Sequence, residues 1–184
     1  MTGHADDGVL VARARTGDTA AFERLVRRYS GPVYRIALRV LNDADAAQDV
    51  AQEAFVAAWR RLDEIRAGQA FAAWLYRIAT TRALSAARRR GTAGQPDPVE
   101  EPDTGAPART GDPVQHVLAE DLRGALWRAL ARLTPEQRAC WVLRELEELS
   151  YDEIAEITRS GPDAVRGRIH RARTRLAEEL SAWR

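Results

Sequence analysis

The chain has 184 residues, enough for one large domain or two small ones, and its 45% hydrophobic and 30% charged residues suit a soluble globular protein. A net charge of +1 means that any affinity for nucleic acid must come from how charge is distributed, since the 28 basic side chains, all arginine, are balanced by 27 acids. Cys140 is the only cysteine, which excludes an internal disulfide or a cysteine-based metal cluster, and with no apolar run near the ~18 residues of a membrane span and no signal-peptide pattern after Met1, the chain is expected to be cytoplasmic.

The pattern is helical almost throughout from Asp6 to Arg90. Val9, Leu10 and Ala12 start a short helix that Gly17 ends. Asp18 then caps a second, carried by Ala21, Phe22, Leu25 and Val26 and broken or kinked at Gly31-Pro32 before Val33, Ile36, Ala37 and Val40 continue its apolar face. Asn42 or Asp43 caps a third helix running to about Leu62. After a turn at Gly68 and Gln69, a fourth runs from about Ala70 to Arg90. From Gly91 to Asp112 the chain holds Pro96, Pro98, Pro102 and Pro107, and five acids against Arg109 alone, the composition of a flexible linker. Helices resume at Pro113, the first reaching about Leu133. Thr134 with Pro135 opens the next, Ser150 and Glu153 have capping-box spacing before Tyr151–Thr158, and Pro162 starts the last, which runs to about Leu180. The expected fold is all-α: two small helical domains, 6–90 and 113–184, joined by a flexible acidic linker at 91–112.

At about 100° per residue, Ala47, Val50, Ala51, Ala54 and Ala58 share one face of the third helix, while Asp45, Asp49, Gln52, Val56 and Trp59 share the opposite one. An apolar anchor inside a charged rim suits docking to a basic protein partner. The residues alone also allow, and on physical grounds favour, Trp59 folding over a neighbouring helix with the acids merely solvated. In the fourth helix Phe71, Leu75 and Ile78 line one face, and Trp74, Arg77, Thr81, Ser85 and Arg88 lie along an adjoining stripe that ends in Arg88-Arg89-Arg90. Arginine and aromatic groups on one stripe can hold a phosphate backbone and stack unpaired bases. The alternative is a core Trp74 with a basic end that complements the helix dipole.

The last two helices have helix-turn-helix proportions. Val165, Ile169, Ala172, Leu176 and Leu180 form the buried stripe of the second, leaving Arg166, His170 and Arg173 outward and Arg171 and Arg175 on the flanks. Six arginines against one acid, Asp163, between Arg159 and Arg175 are the footprint expected of a helix in a major groove.

Two stretches carry a resemblance. Asp45-Ala-Ala-Gln-Asp49-Val-Ala-Gln52-Glu53-Ala-Phe55-Val-Ala-Ala-Trp59, followed by Phe71-Ala-Ala-Trp74-Leu75-Tyr76-Arg77-Ile78-Ala79, resembles domain 2 of the sigma-70 family of RNA polymerase sigma factors. Leu133-Thr-Pro135-Glu-Gln-Arg138, Leu149-Ser150-Tyr151-Asp-Glu153-Ile154-Ala155 and Val165-Arg166-Gly-Arg168-Ile169-His170-Arg171-Ala172-Arg173 resemble domain 4. With no third domain between them, the chain is similar to the small extracytoplasmic-function class.

The resemblance implies a non-catalytic specificity subunit that binds core RNA polymerase and reads the −35 and −10 promoter elements. Asp45, Asp49, Gln52, Glu53, Phe55 and Trp59 would dock on the β′ clamp. Trp74, Arg77, Thr81 and Arg88 would bind −10 DNA. Domain 4 would contact the β flap and read −35 DNA through Arg166, Arg168, His170, Arg171 and Arg173. An anti-sigma factor is a further partner the family suggests. Membrane insertion, a small-molecule substrate, a cofactor and a metal site are not expected, and no Gly-rich phosphate loop or nucleophile–base set is present. Thr81 and Ser85 replace the usual Asn and Asp, Arg159 and Ser160 occupy a turn that usually holds Gly and a small apolar residue, and Ala164 and Gly167 replace Thr and Ser, so the promoter sequence does not carry over. Two rival expectations remain: an autonomous helix-turn-helix regulator, and a protein-binding regulator that keeps the fold without promoter recognition.

Overall fold

The computed structural model describes residues 4–65, 71–90 and 124–181. The turn expected at Gly68 and Gln69, the linker at 91–112 and the helix start at Pro113 lie outside the described residues.

Helix α1 (His4–Arg15) ends in a turn at Gly17, whose φ of 91° favours glycine. The Asp18 carboxylate accepts from Ala21 N at 3.0 Å and opens α2 (Thr19–Leu41). Of the break or kink expected at Gly31-Pro32, the break does not occur, and α2 runs through Pro32. Proline removes one backbone donor, but buried Leu25 and Tyr29 before it and Val33 and Ile36 after it hold the helix to one continuous stripe. Asn42 and Asp43 divide the work that either could have done. Asn42, at φ 53°, closes α2 through its N–H to Leu38 O, and Asp43 caps α3 (Ala44–Arg60) by accepting from Ala46 N at 2.7 Å. Helix α3 stops short of Leu62, which starts a 3-10 turn, Leu62–Glu64. Helix α4 is Phe71–Arg90.

The second half begins with α5, described over 124–131. Helices α6 (Pro135–Glu145) and α7 (Tyr151–Thr158) each open with a capping box, Thr134 with Gln137 and Ser150 with Glu153. Helix α8 is Pro162–Ser181. Among the described residues there is no strand.

The sequence left the placement of the two halves open, and here they are closed on each other, α2 against α6 and α4 against α7. Leu25, Val33 and Ile36 of α2 and Leu75 of α4 share one apolar cluster with Cys140, Val142 and Leu143 of α6 and Ile154 of α7. A second joins Leu38 of α2 and Leu84 of α4 to Trp127 and Ala139. Among the described residues, only the small cluster of Ala129, Leu130, Leu133, Ala172 and Leu176 belongs to the second half alone.

Polar groups cross the seam as well. Arg138 of α6 donates to Val40 O at the end of α2, and the Tyr76 hydroxyl of α4 donates to the Glu147 carboxylate, which also faces Arg35 and Arg39 of α2. Burial pushes Glu147 above the usual glutamate range, against the pull of Arg35, Tyr76 and Arg39.

Candidate protein-docking and nucleic-acid interfaces

Helix α3 turns its alanine face inward, with Ala47, Val50, Ala54, Ala57 and Ala58 buried and Ala51 half-buried. Asp45, Asp49, Gln52 and Glu53 are exposed on the other side, together with Val56 at 45%. Phe55 is half-buried against the core. Trp59 satisfies both readings of its position. Its ring leans on Phe22 of α2, centroids 4.9 Å apart, yet 38% of the residue stays in solvent. An apolar strip of Val56 and Trp59 thus lies in solvent on the face that carries the acids. Glu53 is partly engaged by Arg82 of α4 at 3.7 Å.

On α4 the expected stripe divides. Arg77 and Arg88 are exposed, Thr81 is half-buried, and Trp74 is only 6% exposed, packed 6.0 Å from the Phe71 ring. Trp74 takes the core position that the residues had left open, because it sits three residues from Phe71 and four from Ile78 on a stripe that is buried throughout. Ser85 Oγ donates to the Thr81 backbone O at 2.8 Å and accepts from Arg88 at 3.2 Å, so the short side chain at 85 is absorbed by the helix. Arg88 also faces Glu136 of α6 at 3.9 Å. Arg90 binds Asp43 at 2.6 Å, and Asp43 is held below the usual aspartate range, first by the Ala46 N–H and further by Arg90.

On α8, Val165, Ile169, Ala172 and Leu176 are buried, Leu180 is half-buried, and Arg166, His170, Arg171 and Arg173 are exposed. Arg168 differs. It is half-buried, donates to Ser160 Oγ at 2.5 Å and lies beside Cys140, so it fastens the helix-turn-helix turn from inside. Two outward arginines are held in place. Arg166 pairs with Asp163 at 2.8 Å and lies 5.9 Å from the Tyr151 ring, and Arg173 pairs with Glu145 at 2.6 Å. Arg159 adopts the left-handed conformation (φ 52°, ψ 47°) that terminates α7, a place where glycine is the unstrained residue. At Gly167 an added Cβ would meet the Arg171 guanidinium at 3.3 Å, so the missing side chain lets Arg171 fold back along the helix.

An acidic helix with an exposed tryptophan in one half and an arginine-faced helix-turn-helix in the other meet their counterparts in known proteins. Residues 25–92 match the model of sigma-70 region 2, and residues 123–176 match that of sigma-70 region 4. The ECF RNA polymerase sigma-E factor of Escherichia coli K12 is 40% identical over 98% of this chain and 97% of its own length. The chain belongs to the extracytoplasmic-function sigma factors of the sigma-70 family. Another relative, the RNA polymerase sigma-H factor of Pseudomonas aeruginosa, is 35% identical over 98% of this chain and 96% of its own. Among solved structures, CnrH in complex with the cytosolic domain of CnrY superposes with a TM-score of 0.69 at 27% identity, covering 96% of this sigma factor and 98% of CnrH. The Bartonella quintana sigma factor RpoE, in complex with the anti-sigma factor NepR, gives 0.69 at 26% identity over 89% and 98%.

Sequence reasoning missed the seam groups of this sigma factor. Arg138 carried a signal, since it lies four residues before Val142 on the stripe that α6 buries. Tyr76 and Glu147 carried none, because only the closure of the halves brings them together.

Proposed function

We propose that this chain docks on the clamp of core RNA polymerase through Asp45, Asp49, Gln52, Glu53, Phe55 and Trp59 and directs it to promoters bearing −35 and −10 elements. The observation that carries the reading is the mixed face of α3, where carboxylates surround an exposed Val56 and Trp59. The apolar pair supplies the buried anchor of a docking site and the acids supply its charge selectivity.

Arg166, His170, Arg171 and Arg173 present donors to a major groove, where a bidentate arginine–guanine contact is worth about 1–3 kcal/mol of discrimination. Arg168 supports them by fixing the turn. The second half also contacts the β flap. Arg77 and Arg88 hold the −10 strand by its phosphates, with Thr81 beside them. Trp74 shapes that surface from beneath, and stacks on a base only after α4 is uncovered. The subunit supplies recognition and strand capture, polymerase supplies the chemistry, and the two work in the cytoplasm. An anti-sigma factor is a partner of the related sigma factor RpoE and is proposed for this chain on that ground.

The test is assembly with purified core. Reversing Asp45 and Asp49 to arginine abolishes holoenzyme formation and run-off transcription while leaving the helix content unchanged. Normal assembly by the double variant would sink the reading.

A further inference from the structure

Asp163 is an acid where the chain otherwise collects arginine. Between residues 159 and 175 it stands alone against six arginines. It lies in the first turn of α8, with its side chain 95% exposed. At about 100° per residue, Arg166, His170 and Arg173 fall within about 80° of it, so the acid shares the outward face of the arginines rather than a flank. All four residues are exposed.

Position along α8 then decides what Asp163 meets. A recognition helix enters the major groove with its N-terminal residues at the base edges, and Asp163 precedes every outward arginine of α8. Phosphates repel an acid there, which lowers affinity for any duplex. Base edges offer a compensation. A carboxylate only accepts, and the exocyclic amines of cytosine (N4) and adenine (N6) donate. Guanine O6 and thymine O4 are acceptors and repel it. One carboxylate therefore sorts amine-bearing from keto-bearing bases by attraction and by repulsion together.

The bond to Arg166 sets the geometry. Arg166 Nη1 donates to Asp163 Oδ1 at 2.8 Å, and the same guanidinium lies 5.9 Å from the centre of the Tyr151 ring. Among the described hydrogen bonds Asp163 engages Oδ1 alone, and the Arg166 side chain is still 63% exposed. An exposed pair three residues apart adds little to stability, so its consequence is orientation. Residues three apart are separated by about 4.5 Å along a helix, against about 3.4 Å per base pair, which sets the two side chains against neighbouring pairs.

We infer that Asp163 is a specificity-determining residue of the helix-turn-helix: it steadies Arg166 on a guanine and accepts from the exocyclic amine of a cytosine or adenine at the neighbouring base pair. This rests on the promoter reading above, in which α8 enters the major groove of the −35 element. An acid in the first turn also suits the positive end of the helix. That role alone moves stability and leaves base preference where it was.

The test is selection of bound duplexes from a randomised library by holoenzyme, assembled from purified core with wild-type, Asp163→Asn or Asp163→Ala chain, followed by sequencing. Wild type should enrich a guanine beside an amine-bearing base. The amide of Asp163→Asn both donates and accepts, so this variant should lose about tenfold of the preference at that neighbouring position, the worth of one good base contact, and keep the −10 preference. Asp163→Ala should bind duplexes of unrelated sequence several-fold more tightly, with a salt slope steeper by about 1, because a repulsive charge is gone and Arg166 is released to a phosphate. Circular-dichroism melts of each full chain report the helix-end role separately. Lower stability with an unmoved base preference would overturn the inference, as would a preference weakened evenly at every position. If wild type selects both elements and Asp163→Asn selects the same sequences, this inference fails alone; if wild type selects no sequence, the promoter reading fails and takes this inference with it.

Discussion

Trp59 and Trp74 sit on successive helices and have opposite fates. Trp74 is core, so Trp74→Ala should cost about 3–5 kcal/mol in urea unfolding, whereas Trp74→Phe should retain most of the stability. If base stacking needs the indole, Trp74→Phe will fold yet fail to open promoter DNA in a permanganate footprint. Trp59 is only leaned on Phe22, so Trp59→Ala should leave the fold intact and lower affinity for core polymerase by roughly thirtyfold, or about 2 kcal/mol, measured by fluorescence anisotropy of labelled chain. Asp43 makes a pH prediction. Its folded-state pKa lies below the ordinary 3.8, so its stabilisation is complete above that value and is lost as the pH falls through the lowered one. Thermal melts at decreasing pH should therefore steepen in wild type and flatten in Asp43→Ala, which also loses about 1 kcal/mol of N-cap stability at neutral pH. A helical projection was enough to separate the two faces of α3. It did not settle Trp74, whose stripe borders the buried one so closely that only the packed structure divides them.

Helix boundaries were the most legible elements. Asp18, Thr134, Ser150 and Pro162 mark their starts through side-chain oxygens or a preset φ, all local chemistry. The run of α2 through Pro32 was not legible, because the contacts that hold it come from other helices. The same split governs the helix-turn-helix. Its existence follows from spacing, but Arg159 in the left-handed region shows that the turn keeps its ordinary geometry without glycine. Arg159→Gly should raise the stability by up to ~1 kcal/mol, the relief of strain less the added chain entropy, seen as a higher urea midpoint. Gly167→Ala should gain about 1 kcal/mol of helix propensity and push Arg171 off the helix surface. If folded-back Arg171 helps to read DNA, that variant will be more stable and bind a −35 duplex more weakly in a gel shift.

At the scale of the whole molecule, the sequence marks two compositional halves and a charged stretch between them, but the seam between the halves is beyond it. Its apolar clusters mix Leu38 with Trp127 and Val33 with Leu143, pairs so far apart in the chain that no local period connects them. Arg138 could have been flagged as a charge on a buried stripe, though not its acceptor 98 positions away. The seam glutamate has a thermodynamic corollary. Closure raises the Glu147 pKa, so the closed form binds protons more avidly than the open one, and linkage requires the reverse as well: whatever parts the halves must expel a fraction of a proton. Titrating core polymerase into the chain just above the ordinary glutamate value of 4.5, in two buffers of unequal ionisation heat, would count that proton, and Glu147→Gln should silence the signal. A falling pH should therefore shift the balance towards the closed form, a coupling that needs no binding pocket of its own.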